Sequence, residues 1–387
     1  MNYQFILQKS LIRFTTRIPV EKQRYTNLDA FRGLAALLVL LFHSPFFYGY
    51  KTTFISNSDI FVDFFFILSG FVIAHAYKSK IDSLNFKTYM QNRFARIYPL
   101  HLTLLLAWLM FLSLKHLLYT QFNLGNTDPF INNDFTSFIL NLLLLNAHNL
   151  DDQLTWNAPS WSIGAEFYTY LLFFVVAKSI RVKNLLQWSI FLIVLAYTTL
   201  YILKPITLLR TFDLGFIRAI GGFFLGVSVF IIKEKTELNY SSKLKVAIIE
   251  VVLLLAVISC ITILAKYKLG QLTTFLVFTL SIYYFSASNG VISTLLKTKT
   301  MQYLGKISYS IYLTHFLVIN IIINIWQYFF AKKGLPINTP LADIYNTSAA
   351  PFLNTAIILI TCLISAITYK FIEQPFQQKL SAKRVVK

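Results

Sequence analysis

Arg32 and His43 stand with ten residues between them inside the first apolar stretch of the chain, Asn27-Leu-Asp-Ala-Phe-Arg-Gly-Leu-Ala-Ala-Leu-Leu-Val-Leu-Leu-Phe-His43. On a helix, eleven steps of about 100° bring the two side chains back to nearly one face, about 16 Å apart along the axis. Ionisable groups are costly in a lipid-buried helix, so they mark function by default. An aligned pair at two depths suggests a site that runs through the bilayer. A guanidinium can hold an anion at one level, and an imidazole can move a proton at the other.

Two carboxylates fall near the level of His43. Asp63 sits early in Ile60-Phe-Val-Asp-Phe-Phe-Phe-Ile-Leu-Ser-Gly70, and Glu166 follows Pro159-Ser-Trp-Ser-Ile-Gly-Ala. A histidine oriented by a carboxylate is the usual arrangement of a general base, so His43, Asp63 and Glu166 are the catalytic candidates. Each has a plainer reading. His43 can simply bond a neighbouring helix, and Asp63 or Glu166 can be the structural partner of Arg218, with the structural role favoured for Asp63.

At the opposite level, Arg93-Phe-Ala-Arg96 precedes Ile97-Tyr-Pro99. Arginines three apart share a helix face, and paired guanidiniums suit bidentate capture of phosphate. With Arg32 they would form an anion site, while ordinary positive charge at a membrane edge is the bland alternative. Ser308, Tyr312 and His315, spaced by four and three, make one polar stripe. That stripe either lines a cavity, together with Trp161, or bonds helix to helix. Gly222 and Gly226 read as close helix packing, and Glu373 as the partner of a basic residue.

The elements that must position these groups are membrane helices. Of 387 residues, 56% are hydrophobic and 13% charged, which excludes an ordinary soluble domain. An all-α, polytopic bundle of about ten spans is expected, over 28–49, 59–77, 97–119, 161–179, 188–203, 212–232, 247–265, 270–287, 307–330 and 351–372. Residues 137–147 are too short to cross and read as a re-entrant or interfacial helix. Placing the N-terminus in the cytosol puts most of the 35 Lys and Arg on that side, while the loop 120–160 has none. Both termini are then cytosolic, and the +19 net charge is topogenic, so no nucleic-acid partner is expected. The expected division is a cytosolic segment over 1–26, a transmembrane domain over 27–376 and a basic tail over 377–387. No removable signal peptide stands out. Cys260 and Cys362 match neither a disulfide framework nor a metal-ligand spacing; they read as core residues, and no metal is expected.

Several of these motifs, in order, resemble the membrane acyltransferase 3 family. They are Leu28-Asp-Ala-Phe-Arg-Gly with His43, Val62-Asp63 with Phe66-Ile-Leu-Ser-Gly-Phe71, Arg93-x-x-Arg96-Ile-Tyr-Pro99, Trp161-Ser162 with Glu166, Ser308-Tyr-Ser-Ile-Tyr-Leu-x-His315 and Ile372-Glu-x-Pro375. The resemblance spans roughly residues 27–376. One departure is Phe61, where the family pattern often has glycine. The resemblance implies transfer of an acyl group, usually acetyl, from cytosolic acyl-CoA to a hydroxyl of an extracytoplasmic carbohydrate or glycolipid in the cell envelope. His43 would be the catalytic histidine, as general base or acyl carrier, and Arg32, Arg93 and Arg96 the donor-site residues. A bacterial cytoplasmic membrane is the implied home. Some relatives carry a C-terminal esterase-like module; without one, the acceptor is met at the membrane or through a separate extracytoplasmic partner protein. Two other classes stay in view. A glycolipid transporter or flippase would be expected to show repeats of its span pattern, and none is visible. A scaffold subunit gives no reason for an aligned Arg–His face.

Overall fold

A computed structural model describes residues 24–47, 49–124, 127–180, 184–204, 206–236, 242–331 and 345–380. Most of the expected N-terminal segment and the last residues of the basic tail lie outside these. The described chain is helical without named strands, and nine of its helices are long and apolar enough to cross a membrane. The elements used below are α1 (Thr26–His43), α2 (Phe61–Tyr77), α3 (Phe86–Phe122), α4 (Phe135–Leu142), α5 (Trp161–Ser179), α6 (Leu185–Leu203) and α7 (Gly215–Lys235). They continue with α8 (Lys243–Ser259), α9 (Lys268–Phe285), α10 (Val291–Leu296), α11 (Lys299–Ala331) and α12 (Ala350–Thr368).

Two of the sequence expectations shift. The eighth expected span is α9, a helix whose Lys268, Gln271, Thr273 and Thr274 leave it outside those nine. Its Gln271 is instead consumed inside the protein, accepting from Leu208 N at 2.8 Å and donating to the Ala265 carbonyl at 2.8 Å. The first span is shorter than 28–49. Ser44 is extended (φ −69°, ψ 128°) because Pro45 disfavours helical geometry in the residue before it, so His43 is the last residue of α1. The short α4 is as expected too brief to cross, and Asp134 caps it by accepting from Ser137 N at 2.7 Å.

Burial ranks the helices. The apolar window of α7 is 72% buried, against 22% for α8 and for the Ala350–Leu380 span, so α7 is a core helix and the other two face outward. Exposed Leu255, Ile263, Leu359 and Leu363 on those outer helices are the surface that lipid would cover. Small residues set the close crossings. A Cβ added at Gly226 would lie 1.8 Å from the Ile67 carbonyl oxygen, and one at Gly222 2.8 Å from Phe66 Cβ, so α7 lies directly on α2 as the Gly222–Gly226 spacing suggested.

A second crossing bears on the site. A Cβ at Gly33 would fall 2.8 Å from Gly305 N, and one at Gly305 only 2.2 Å from the Asp29 carbonyl oxygen. α1 and α11 therefore touch backbone to backbone, and this contact brings Arg32 to Gly305 and Ser308. Gly305→Val should lower stability by about 1–3 kcal/mol, the usual cost of overpacking. Thermal unfolding in detergent checks this. An unchanged midpoint would mean that the helices separate freely.

Candidate active site

Three arginines from two helices meet at one cavity of about 150 Å³. Arg32 enters from α1, donating from Nε to Ser308 Oγ at 2.8 Å and from Nη2 to the Gly305 carbonyl at 2.9 Å. Asp29, one turn earlier, lies 3.3 Å from the same Nη2. Arg93 and Arg96 enter from α3, which starts eleven residues before the expected span and so carries both on a regular helix face. A second cavity, of about 290 Å³, shares Arg32, Leu68 and Val72 with the first and lies at the N-terminal end of α1 beside Arg24 and Tyr25.

The three guanidiniums are not equivalent. Arg96 pairs with Glu373, a buried carboxylate that also accepts from Ser310 Oγ at 2.9 Å. Glu373 ends a π-helical turn, Tyr369–Glu373, just before Pro375. Proline has no N–H for the helical ladder, and the wider turn carries the carboxylate inward. Arg93 has no carboxylate partner among the described residues. Its Nη2 donates to Tyr77 Oη at 3.0 Å, its Nε is buried without a partner, and it lies over the rings of Tyr77 and Tyr170 at 5.3 and 5.7 Å. A half-buried guanidinium with an unused donor suits an anionic ligand.

The carboxylates expected beside His43 are elsewhere. Asp63 is fully buried in a two-bond pair with Arg218, Nε to Oδ1 at 3.0 Å and Nη2 to Oδ2 at 2.6 Å. Trp161 belongs to this pair and does not line the cavity, its ring 5.3 Å from the Arg218 guanidinium carbon. Glu166 lines the arginine cavity and accepts from Ser69 Oγ and Tyr170 Oη. It is about one and a half turns into α5, which begins at Trp161 as the expected span does. Among the described residues, neither carboxylate hydrogen-bonds His43.

The partner of His43 is another imidazole. His315 Nε2 lies 3.2 Å from His43 Nδ1, with ring centroids 5.0 Å apart. The expected stripe on α11 thus serves three levels: Ser308 receives Arg32, Tyr312 shares a 2.7 Å hydrogen bond with Ser162, and His315 meets His43. His43 itself does not line the arginine cavity, whereas Phe65 and Tyr312 do. The Tyr312 ring stands 5.5 Å from Phe65 and 5.8 Å from His315, so it separates the cavity from the histidine pair.

Comparison with known proteins decides the family. The family profile described as an acyltransferase domain, acyltransferase 3, matches residues 25–370. The chain belongs to the acyltransferase 3 family. It is a membrane protein of several spans that transfers acyl groups. Acyltransferase MdmB of Streptomyces mycarofaciens is 32% identical over 184 residues, which cover 43% of this acyltransferase and 44% of MdmB. Protein 2 in the picA locus of Rhizobium radiobacter is 32% identical over 148 residues, 36% of this acyltransferase and 76% of that protein. No solved structure matches.

Some partners of the acyltransferase's cavity residues were missed in the sequence. Tyr170 lies four residues after Glu166 on α5, so helical spacing alone would have paired them. Ser69 and Tyr77 carried no such signal, because they reach Glu166 and Arg93 from another helix. Just before α7, Asp213 binds Arg210 and Lys204. Burial would raise its carboxyl, but the hydrogen bonds from Arg210 and Lys204 prevail and hold it at about 2.

Proposed function

We propose that this enzyme moves an acyl group, acetyl in the simplest case, from acyl-CoA to a hydroxyl of an extracytoplasmic carbohydrate or glycolipid. The observation that carries the reading is the joint placement on α1 of Arg32, in the arginine cavity, and His43, against His315. The phosphates of the donor would bind Arg32, Arg93 and Arg96 from the cytosolic side, both termini being cytosolic in this reading. The pantetheine arm would then follow α1 toward His43. Because Tyr312 closes the cavity at that end, delivery of the thioester requires its ring to swing away from Ser162 and the Pro159 carbonyl. His43 then takes the proton of the acceptor hydroxyl, whose oxygen bonds to the acyl carbon as the carbon–sulfur bond breaks. The leaving thiolate recovers the proton from His43, so acid and base are one residue.

The unpaired Arg93 supports the donor side of this reading. Arg93→Ala should raise the KM for acetyl-CoA roughly 10- to 100-fold, the worth of a hydrogen bond to a charged group, with kcat little changed. Steady-state kinetics checks this. A fall in kcat at constant KM would place Arg93 in the chemistry instead.

A bacterial cytoplasmic membrane is the proposed setting, in keeping with the bacterial relatives. Mass spectrometry of envelope glycans from cells with and without the gene tests the acceptor class. A glycan that loses one acyl mass supports it, and identical glycan masses would direct attention to a small-molecule acceptor.

A further inference from the structure

Two carbonyl groups fix which nitrogen of each histidine carries its proton. His43 Nδ1 lies 2.9 Å from the Val39 carbonyl oxygen, one turn back on α1. A carbonyl oxygen can only accept, so Nδ1 must be the protonated nitrogen. His315 repeats the arrangement on α11, with Nδ1 3.3 Å from the Ile311 carbonyl oxygen. In the neutral ring the other nitrogen, Nε2, then holds a lone pair. That lone pair lies 3.2 Å from His43 Nδ1, where it accepts a second share of the same proton. His43 is left with Nε2 as its basic nitrogen.

Apart from the Val39 carbonyl, His315 is the group that faces this nitrogen. The rings of Phe42 and Phe316 stand 4.9 and 5.5 Å from His43 and offer no acceptor. The charged group nearest in the chain is Lys51, which donates to the Phe42 and Ser44 carbonyls at the C-terminus of α1. Among the described residues no carboxylate bonds either ring. His315 is fully buried, so water cannot substitute for it.

We infer that His315 is a positioning residue: with the Val39 carbonyl it holds His43 in the Nδ1–H form, so that Nε2 faces the acceptor hydroxyl, and it accepts from the imidazolium when Nε2 takes that proton. This rests on the reading of His43 as the base. The proton moves from hydroxyl to Nε2, and His315 neither gains nor loses one. A carboxylate in its place would neutralise the imidazolium; an imidazole only orients and solvates it, which fits a base that must return its proton promptly to the thiolate.

The test compares His315→Phe, His315→Gln and His43→Ala in the full chain reconstituted in lipid nanodiscs. Acetyl-CoA is the donor and an envelope glycan fraction the acceptor. Phenylalanine keeps the ring and removes the lone pair, whereas glutamine returns an acceptor oxygen near the position of Nε2. His315→Phe should lower kcat roughly 10- to 100-fold at constant KM for acetyl-CoA. It should also move the acidic limb of the pH profile to lower pH, since the protonated form of His43 loses a partner. His315→Gln should recover most of the rate and the wild-type profile.

Wild-type rate and profile in His315→Phe, with His43→Ala inactive, would overturn the inference and leave the base assignment standing. Full transfer by His43→Ala would overturn both. The nitrogen-15 resonances of histidine-labelled wild-type protein give a second readout that needs no variant. At high pH His43 should show a protonated Nδ1 and a bare Nε2, and the opposite tautomer overturns the inference.

Discussion

His43→Ala lowers kcat for acyl transfer about 10²- to 10⁴-fold, the range that a positioned general base supplies, and leaves the KM for acetyl-CoA close to wild type. The separation of the two constants follows from geometry. Arg32 and His43 lie about three turns apart on α1, Arg93 and Arg96 of α3 line the same cavity as Arg32, and Tyr312 stands between that cavity and the histidine pair. Loss of the imidazole therefore leaves the guanidiniums and their hydrogen bonds to Ser308, Gly305 and Tyr77 in place. A variant whose KM rose in step with the loss of kcat would mean that His43 helps to bind the donor. His43 ends its helix and packs among aromatic rings, so alanine there opens a small cavity rather than stranding a charge.

Asp63→Ala has the second large effect, on stability. Arg218 is 2% exposed, so removal of Asp63 takes away the carboxylate hydrogen-bonded to a buried guanidinium, leaves Asp59 as a more distant counter-charge, and costs about 3–5 kcal/mol. The remaining bond from Arg218 Nη1 to the Arg210 carbonyl, at 3.0 Å, does not balance the guanidinium charge. The double change Asp63→Leu with Arg218→Met should recover most of the loss, because well-packed apolar residues replace buried ion pairs at little cost. Thermal unfolding in detergent reads both variants. Activity per folded molecule separates this structural role from a catalytic one. Asp63→Ala with an unchanged unfolding midpoint and a large loss of kcat would return Asp63 to the chemistry.

The sequence made the two levels of the site legible because membrane burial makes polar residues conspicuous. Arg32, Arg93 and Arg96 could be assigned to one level from hydropathy alone, and the structure brings them to one cavity. The spacing of Ser308, Tyr312 and His315 identified an inward face of α11. Lateral neighbours were not legible in the same way. Depth places Asp63, Glu166 and His43 at similar levels, but it says nothing of rotation about each helix or of which helices adjoin. The close α1–α11 contact at Gly33 and Gly305 gives His43 an imidazole partner, and the α2–α7 contact at Gly222 and Gly226 gives Asp63 an arginine. Local chemistry explains the end of α1, since Pro45 stops the helix at His43 where hydropathy continues to residue 49.

The most direct measurement uses purified protein in nanodiscs, acetyl-CoA and an envelope glycan fraction, and follows free thiol and glycan mass together. Wild-type protein should release thiol in step with the gain of one acetyl mass per acceptor, and His43→Ala should do neither. Equal thiol release and equal acetyl gain by wild type and His43→Ala would contradict the role given to His43.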